Sequence, residues 1–521
     1  MTVEPVRVSG LSDDENRLAN ALLAQLDARA PRNRVRSDYY DGKRALRQLS
    51  AVMPGHYDNL GLVLGWAAKS VDALARRCHL DGFTWAEGDL DSLGLREFAD
   101  DNMLLSELSG ARVKAFTHGV SFLVGTTGGD GEPKALLHAK DALNGTGRWN
   151  SRTRRLDSFL SVTEREKDKV TGFVLYLDGL TIPVLKVDGR WVATDRHEHV
   201  YGVPVEPLIY KPQGRPFGYS RISRPIMGLQ DAAVRALIRT EGHMDVYSWP
   251  EMVILGADGG AFQDEDGNTL AAWQAMLGRV KGIPDDEEQT DPSLARAEVL
   301  QFPAASPEPH LAQLNALAKM FAREASLPDS AVAITDMANP TSEGAYDASQ
   351  YELVAEAEGA VDDFDRPIQR AIRRGLLMQN DLDEAPAAWS SISTQWRNPR
   401  FESRAQVADA GTKVVAAVPG LAETDVGLEL MGLTPDQIRR FKGERKLAAG
   451  RSLVETLAPS KEAETAAELK ARFDALGAAI RSGVSPNDAA ARLGLPGIEF
   501  TGATPVSLRL PEADAAGLEE K

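Results

Sequence analysis

His197-Glu198-His199 sets two imidazoles on one face of an extended segment. A zinc ion needs a third and a fourth donor, and no ligand motif accompanies the pair, so a surface strand or turn is expected. Asp362, Asp363 and Asp365 invite a nuclease reading, because clustered carboxylates can hold two divalent ions. They fall within a helical pattern, where adjacent positions diverge around the axis, and no second acidic cluster supports them. A solvated helix face is expected. Asp264-Glu265-Asp266-Gly267 resembles a fragment of a calcium loop, but the first ligand position would be Phe262. Gly125–Gly131 is glycine-rich without the lysine of a phosphate-binding loop, and reads as a hairpin turn. No nucleophile elbow and no His-Glu-x-x-His occurs. No catalytic residue, cofactor or metal is therefore expected, and an assembly role is favoured over an enzyme.

The arginine triplets Arg32/Arg34/Arg36, Arg152/Arg154/Arg155 and Arg370/Arg373/Arg374 are short and flanked by acids. Ion pairing, solvated or between subunits, is expected of them rather than a nucleic-acid footprint. The whole chain agrees: 59 Lys and Arg against 76 Asp and Glu leave a net charge of −17, which opposes a broad basic surface for wrapping nucleic acid. A single cysteine, Cys78, permits no intrachain disulfide and fits a reducing compartment. Met1–Leu11 lacks the cationic start and apolar run of a signal peptide. No apolar run approaches the ~18–20 residues that span a bilayer. A soluble, intracellular chain with no membrane partner is expected.

The elements that must position these residues follow from periodicity. At ~100–200 residues per domain, 521 residues suggest three or four units. Ser12 and Glu15 have capping-box spacing and open a helix over 12–30, with Leu18, Leu22 and Leu26 on one face. Further helices are predicted over 61–78 and 92–116. Val120–Val124 then reads as a strand, and strands over 170–177, 182–187 and 190–194 are separated by Asp178-Gly179 and Asp188-Gly189, strong hairpin signals. A helix over 220–247 carries Ile222, Ile226, Leu229 and Leu237 on one stripe. A strand over 251–256, a short helix over 270–279 and a strand over 298–302 follow, and a helix over 309–326 closes this insert. The longest helix is predicted over 342–378, with a kink or break near 363–367 because Pro367 removes a backbone donor. Helices over 403–417, 435–448, 461–481 and 486–493 precede an extended tail from Gly497. The fold class is α+β, predominantly helical and multidomain. A helix pair carrying a small domain at its tip buries little surface alone, so neighbouring copies in a closed ring are expected to cover its apolar face.

This order resembles the portal proteins of tailed double-stranded DNA phages, particularly the branch common in phages of actinobacteria. The residues that carry the likeness are Tyr39-Tyr40-Asp41-Gly42, Gly119–Val124, Phe217–Ile226, Ser248–Ile254, Asn339–Tyr346 and Trp396-Arg397-Asn398-Pro399. The resemblance implies a wing over 1–219, a first stem helix over 220–249 and a clip over 250–308 that includes Met252, Val253 and Ile254. It implies a second stem helix over 309–326, a tunnel loop over 327–341, a long kinked helix returning to the wing over 342–400, and a helical wing or crown over 401–521. Ile334, Thr335, Asp336, Met337, Ala338 and Asn339 become the tunnel-loop residues facing DNA, and Ile222, Ile226, Leu229 and Leu237 the stem-packing residues. It further implies a homo-oligomeric ring, a dodecamer, at the capsid vertex of a virion, assembled in the host cytoplasm. Double-stranded DNA in transit, a terminase, a head–tail adaptor, and the major capsid or a scaffolding protein become the partners. In such a ring the charge of −17 per copy would favour sliding of DNA over sticking if it faces the channel.

Overall fold

The computed structural model describes residues 5–44, 61–247, 252–255, 290–291, 298–301, 305–332, 343–400, 403–457 and 466–502. The chain divides into two compact units, Met1–Phe401 and Glu402–Lys521.

Helix α1 (Asp13–Tyr40) opens on the predicted capping box, with Ser12 and Glu15 each accepting from the other's backbone N–H. It does not stop at Pro31. The half beyond the proline is pinned by tertiary bonds: Asn33 Nδ2 donates to the Ala142 carbonyl at 3.2 Å and Arg36 to the His118 carbonyl at 2.9 Å. These offset the donor that proline removes. The predicted helix over 92–116 is instead three pieces. A 3-10 turn at Leu90–Leu93, α3 (Leu95–Asp101) and α4 (Leu104–His118) are separated by left-handed residues, Gly94 at φ +75° and Met103 at φ +45°. Helix α2 spans Trp66–Arg77.

Two sheets stand behind these helices. Strands β3 (Val120–Thr127), β4 (Ala135–Asp141) and β11 (Val205–Ile209) form a three-stranded antiparallel sheet in the order β11-β3-β4. The second sheet has seven described strands, far more than the small sheet expected. Its path is β1 (Val8–Ser9), β9 (Arg190–Ala193), β8 (Leu180–Val187), β7 (Lys169–Leu177), β6 (Arg155–Glu166) and β5 (Gly145–Asn150), with β10 (His197–Glu198) on β8. The β8–β9 hairpin turns at Asp188 (φ +50°) and Gly189 (φ +80°), the two positive values that a tight Asp-Gly turn needs. Period 2 lets β3 serve two cores. Val120, Phe122 and Val124 face the second sheet beside Phe159 and Tyr176, while Leu123 joins the main helical core. Helix α1 lays Leu22, Leu23 and Leu26 on Leu160, Phe173 and Ile182.

Helices α5 (Arg224–Tyr247) and α6 (Glu308–Glu324) pack as an antiparallel pair, since His243 near the end of α5 meets His310 near the start of α6 at 5.1 Å between ring centroids. Between them in sequence, β12 (Met252–Leu255) pairs antiparallel with β13 (Glu298–Gln301); Met252 lies opposite Gln301, Val253 opposite Leu300 and Ile254 opposite Val299. The helix predicted over 270–279 and the residues Ile334–Asn339 lie outside the described residues. Helix α7 (Glu343–Gln379) runs through Pro367 without a break, where a kink or break was expected. Phe364 and Ile368, either side of that turn, are wholly buried in the main core and hold it. After α7 the chain returns as β14 (Ile392–Trp396) to pair with β2 (Leu80–Trp85).

The second unit is helical: Arg404–Ala417, Asp425–Leu430, Pro435–Leu457, Ala466–Arg481 and Pro486–Arg492. Capping boxes at Ser403/Gln406 and Thr434/Gln437 open two of these helices. Gly411 sits where a Cβ would fall 2.1 Å from the Leu430 carbonyl, so only glycine allows that helix contact.

Candidate functional site at the root of the helix pair

Arg221 stands just before α5 with its side chain 4% exposed. Its backbone N–H donates to the Phe116 carbonyl at 2.8 Å. Its guanidinium donates to the Ser70 carbonyl of α2 and to the Ala325 carbonyl at the end of α6, and it meets Glu356 of α7 at 2.6 Å. One rigid five-donor fork thus ties three helices to the start of a fourth. Glu356 also accepts from the Tyr210 hydroxyl and, at 2.5 Å, from the Lys211 ammonium. Burial alone raises the Glu356 carboxyl. The Arg221 charge and the hydrogen bonds from Lys211, Tyr210 and Arg221 outweigh that and hold it at about 2. The group is therefore an ionised, buried and hydrogen-bonded pair, the arrangement in which removing one partner is most costly.

Further ties join other elements of the first unit. Glu206 of β11, 3% exposed, sits between Arg370 at 2.8 Å and Arg374 at 2.9 Å, two residues one turn apart on α7. Arg373 points elsewhere and donates to the Ser390 and Ile392 carbonyls. The third arginine triplet thus has ion-pair and hydrogen-bond partners inside the chain itself, whereas solvated or intersubunit pairing was expected. Tyr39 donates to both carboxylate oxygens of Asp231 on α5, at 2.8 and 2.9 Å, and Tyr40 donates to Asp72 on α2 at 3.0 Å. Trp396 donates to Asp365 at 3.2 Å, and the Pro399 carbonyl accepts from Arg77 at 2.8 Å. Tyr39, Tyr40, Trp396 and Pro399, four of the residues that carry the resemblance, are therefore joints between distant elements.

The acidic cluster does not assemble a metal site. Asp363 accepts the Lys211 backbone N–H at 3.0 Å, whereas Asp365 is taken by Thr394, Trp396 and Gln369. Among the described residues, no group of three or more His, Cys, Asp or Glu is placed to hold a metal ion. His199 instead lies 3.0 Å from the Thr181 hydroxyl.

Of the stem-packing residues, Ile222 precedes α5 and is wholly buried, and Ile226 is 1% exposed. Leu229 and Leu237 are partly buried against the same core. The chain itself covers Ile222 and Ile226, so both face protein without a neighbouring copy. Val234 and Ile238, off the predicted stripe, are also buried, packed with Leu62 and Leu64. Sequence reading missed Tyr210, Lys211, Arg221 and Glu356 as a connected set, and Asp231 and Glu206 as separate joints. One signal was present: Glu356 lies three residues after Leu353 and four before Ala360, within the apolar stripe of α7, and a carboxylate on a buried face demands a cation.

Every charged group gathered at this junction holds one element to another, as in a structural component built for assembly. The chain belongs to the phage portal protein family of the SPP1 Gp6-like type, whose family model matches residues 19–444. It is 25% identical over 445 residues to the portal protein of Mycobacterium phage L5, covering 81% of this chain and 87% of that one. It is 24% identical over 441 residues to the portal protein of Mycobacterium phage D29, with the same coverage. Among solved structures it is similar to the neck of a native gene transfer agent particle computed with C12 symmetry, at 13% identity and a TM-score of 0.38, over 71% of this chain and 90% of that one. It is also similar to the neck of an empty particle computed with C6 symmetry, at 15% identity and a TM-score of 0.40, over 71% and 91%.

Proposed function

We propose that copies of this chain close into a ring, a dodecamer, at one vertex of a phage capsid, and that double-stranded DNA enters and leaves through its central channel. The observation that carries this reading is the helix pair α5/α6 bearing the β12/β13 ribbon, rooted on the Arg221–Glu356 clamp beside α7. A projecting pair of this kind acts as a channel wall only if its root is rigid, and the buried clamp supplies that rigidity. Met252, Val253 and Ile254 belong to the ribbon, which we assign to the clip, the surface for a terminase during packaging and a head–tail adaptor afterwards. Leu229 and Leu237, only partly covered within the chain, are the stem residues left for a neighbouring copy. Ile334, Thr335, Asp336, Met337, Ala338 and Asn339 lie between the end of α6 and the start of α7, and we assign them to the loop facing DNA. The major capsid or a scaffolding protein would hold the body of the ring in the virion, after assembly in the host cytoplasm.

Negative-stain imaging of the purified chain tests the ring: closed particles with a central hole are expected, and a monomer under all conditions contradicts it. Deleting 334–338 should leave ring formation intact and impair packaging. Normal packaging by that variant removes the channel role of the loop.

A further inference from the structure

Helix α4 is 15 residues long, about 22 Å at 1.5 Å per residue, and its two ends carry unlike surfaces. Around its C-terminus stand Arg29, Arg32 and Arg36 of α1 and Arg215 of the loop that follows β11. The Arg29 guanidinium lies 4.2 Å from the Phe217 ring centroid, and that of Arg215 lies 4.1 Å from Tyr219, which is 37% exposed. Among the described residues, Arg36 reaches only the His118 carbonyl and Asn33. Burial and the charges of Arg32 and Arg215 push the Arg36 guanidinium down to about 10. Among the described residues, no carboxylate forms an ion pair with any of these four. In a chain of net charge −17, four neighbouring arginines with no ion pair among the described residues are out of keeping.

The N-terminal end of α4 is the converse. Met103, held at φ +45°, is 75% exposed and Leu105 is 45% exposed. Beside them Asp91, Glu97, Asp100 and Asp101 line a shallow hollow in which, among the described residues, Arg96 is the one cation.

We infer that the two ends of α4 are the two halves of one contact between neighbouring copies of this chain, the arginine–aromatic end of one seated on the acidic, apolar end of the next. The helix length keeps the two surfaces apart within a chain. A head-to-tail contact is the kind that brings unlike surfaces together and closes a ring. Arginine and tyrosine are also the side chains that most often anchor interfaces, and methionine is enriched there. Acids from the next copy relieve the repulsion around Arg36. This inference rests on the ring reading above and adds the surface that joins the copies.

Charge reversal in the full-length chain tests it. R32E/R215E reverses one end and D100K/D101K reverses the other, while all four changes together restore opposite charges. Each pair alone is expected to keep the wild-type melting profile and to lose at least tenfold in closed rings by native mass spectrometry, whereas the quadruple variant recovers them. Wild-type ring yield from both paired variants, or a quadruple variant no better than either, overturns the contact. Normal rings from R32E/R215E with weakened retention on DNA overturn it too, because the arginines would then face phosphate. A wild-type chain that forms no ring removes the ring reading itself, an outcome distinct from intact wild-type rings with indifferent variants.

Discussion

The root of the helix pair and the second unit handle charge and apolar surface in opposite ways. At the root, Arg221, Glu206 and Glu356 are no more than 10% exposed and each has its partners inside the chain. In the second unit the ion pairs stand in water: both side chains of Lys442–Asp425 are 49% exposed, and those of Lys413–Asp409 are 73% and 67%. Apolar side chains there are also left out, with Leu447 at 67% and Phe473 at 47%. The first unit fixes its own geometry. In the second, stability rests on helix caps and a few small contacts such as Leu476 with Ala489 and Ala490.

The largest expected effect follows from the clamp. R221M leaves Glu356 buried without its main cation and frees the Ser70 and Ala325 carbonyls, so it should cost the first unit about 3–5 kcal/mol. Hydrogen exchange on the intact chain should show protection lost in α2, α5, α6 and α7 and unchanged in 403–457. Equal loss in both units would break the contrast. Tyr39→Phe is smaller. It removes a donor from the Asp231 carboxylate, and hydrogen bonds to charged groups contribute about 1.5–3 kcal/mol. Urea unfolding should register this with no change in slope.

Acidification separates the units next. Burial, first among the causes at both sites, lowers the His118 and His138 imidazoles to about 4 from an ordinary 6.5. Both are lower folded than unfolded, so the stability they lend is complete above pH 6.5 and is lost as pH falls toward 4. Glu356 behaves likewise in a lower window, its contribution fading from about pH 4.5 to about 2. All 8 histidines precede residue 402, so between pH 6.5 and 5 only the first unit should lose protection. The smallest effect belongs to Lys442→Ala, which breaks an exposed pair worth about 0–1 kcal/mol; a change above 2 kcal/mol in the melting of 403–457 would show that the second unit is held by charge after all.

Local rules read much of this molecule from sequence. The box at Ser12 and the Asp188-Gly189 turn appear where spacing places them. What escaped was decided by long-range contact. Strand β5 carries two glycines and little apolar alternation, so it gives no strand signal. Gly145 is there because a Cβ would fall 2.6 Å from the Phe159 ring, a constraint visible only once β6 is alongside. The predicted helix ends before Pro31, and Pro367 reads as a kink or break, yet both helices continue through their proline. Arg221 and Glu356 belong to segments with separate local patterns, and no local rule pairs them. For Met252, Val253 and Ile254 the structure adds strand register, and for Ile334–Asn339 it adds nothing.

The central claim is that a self-fixed first unit lets identical copies close into one ring. Native mass spectrometry of the full-length chain near neutral pH tests it most directly. One dominant mass, or a narrow set, at whole-number multiples of the chain is expected, with no ladder of intermediates. A continuous ladder of open oligomers, or monomer alone at every concentration and salt, would contradict it.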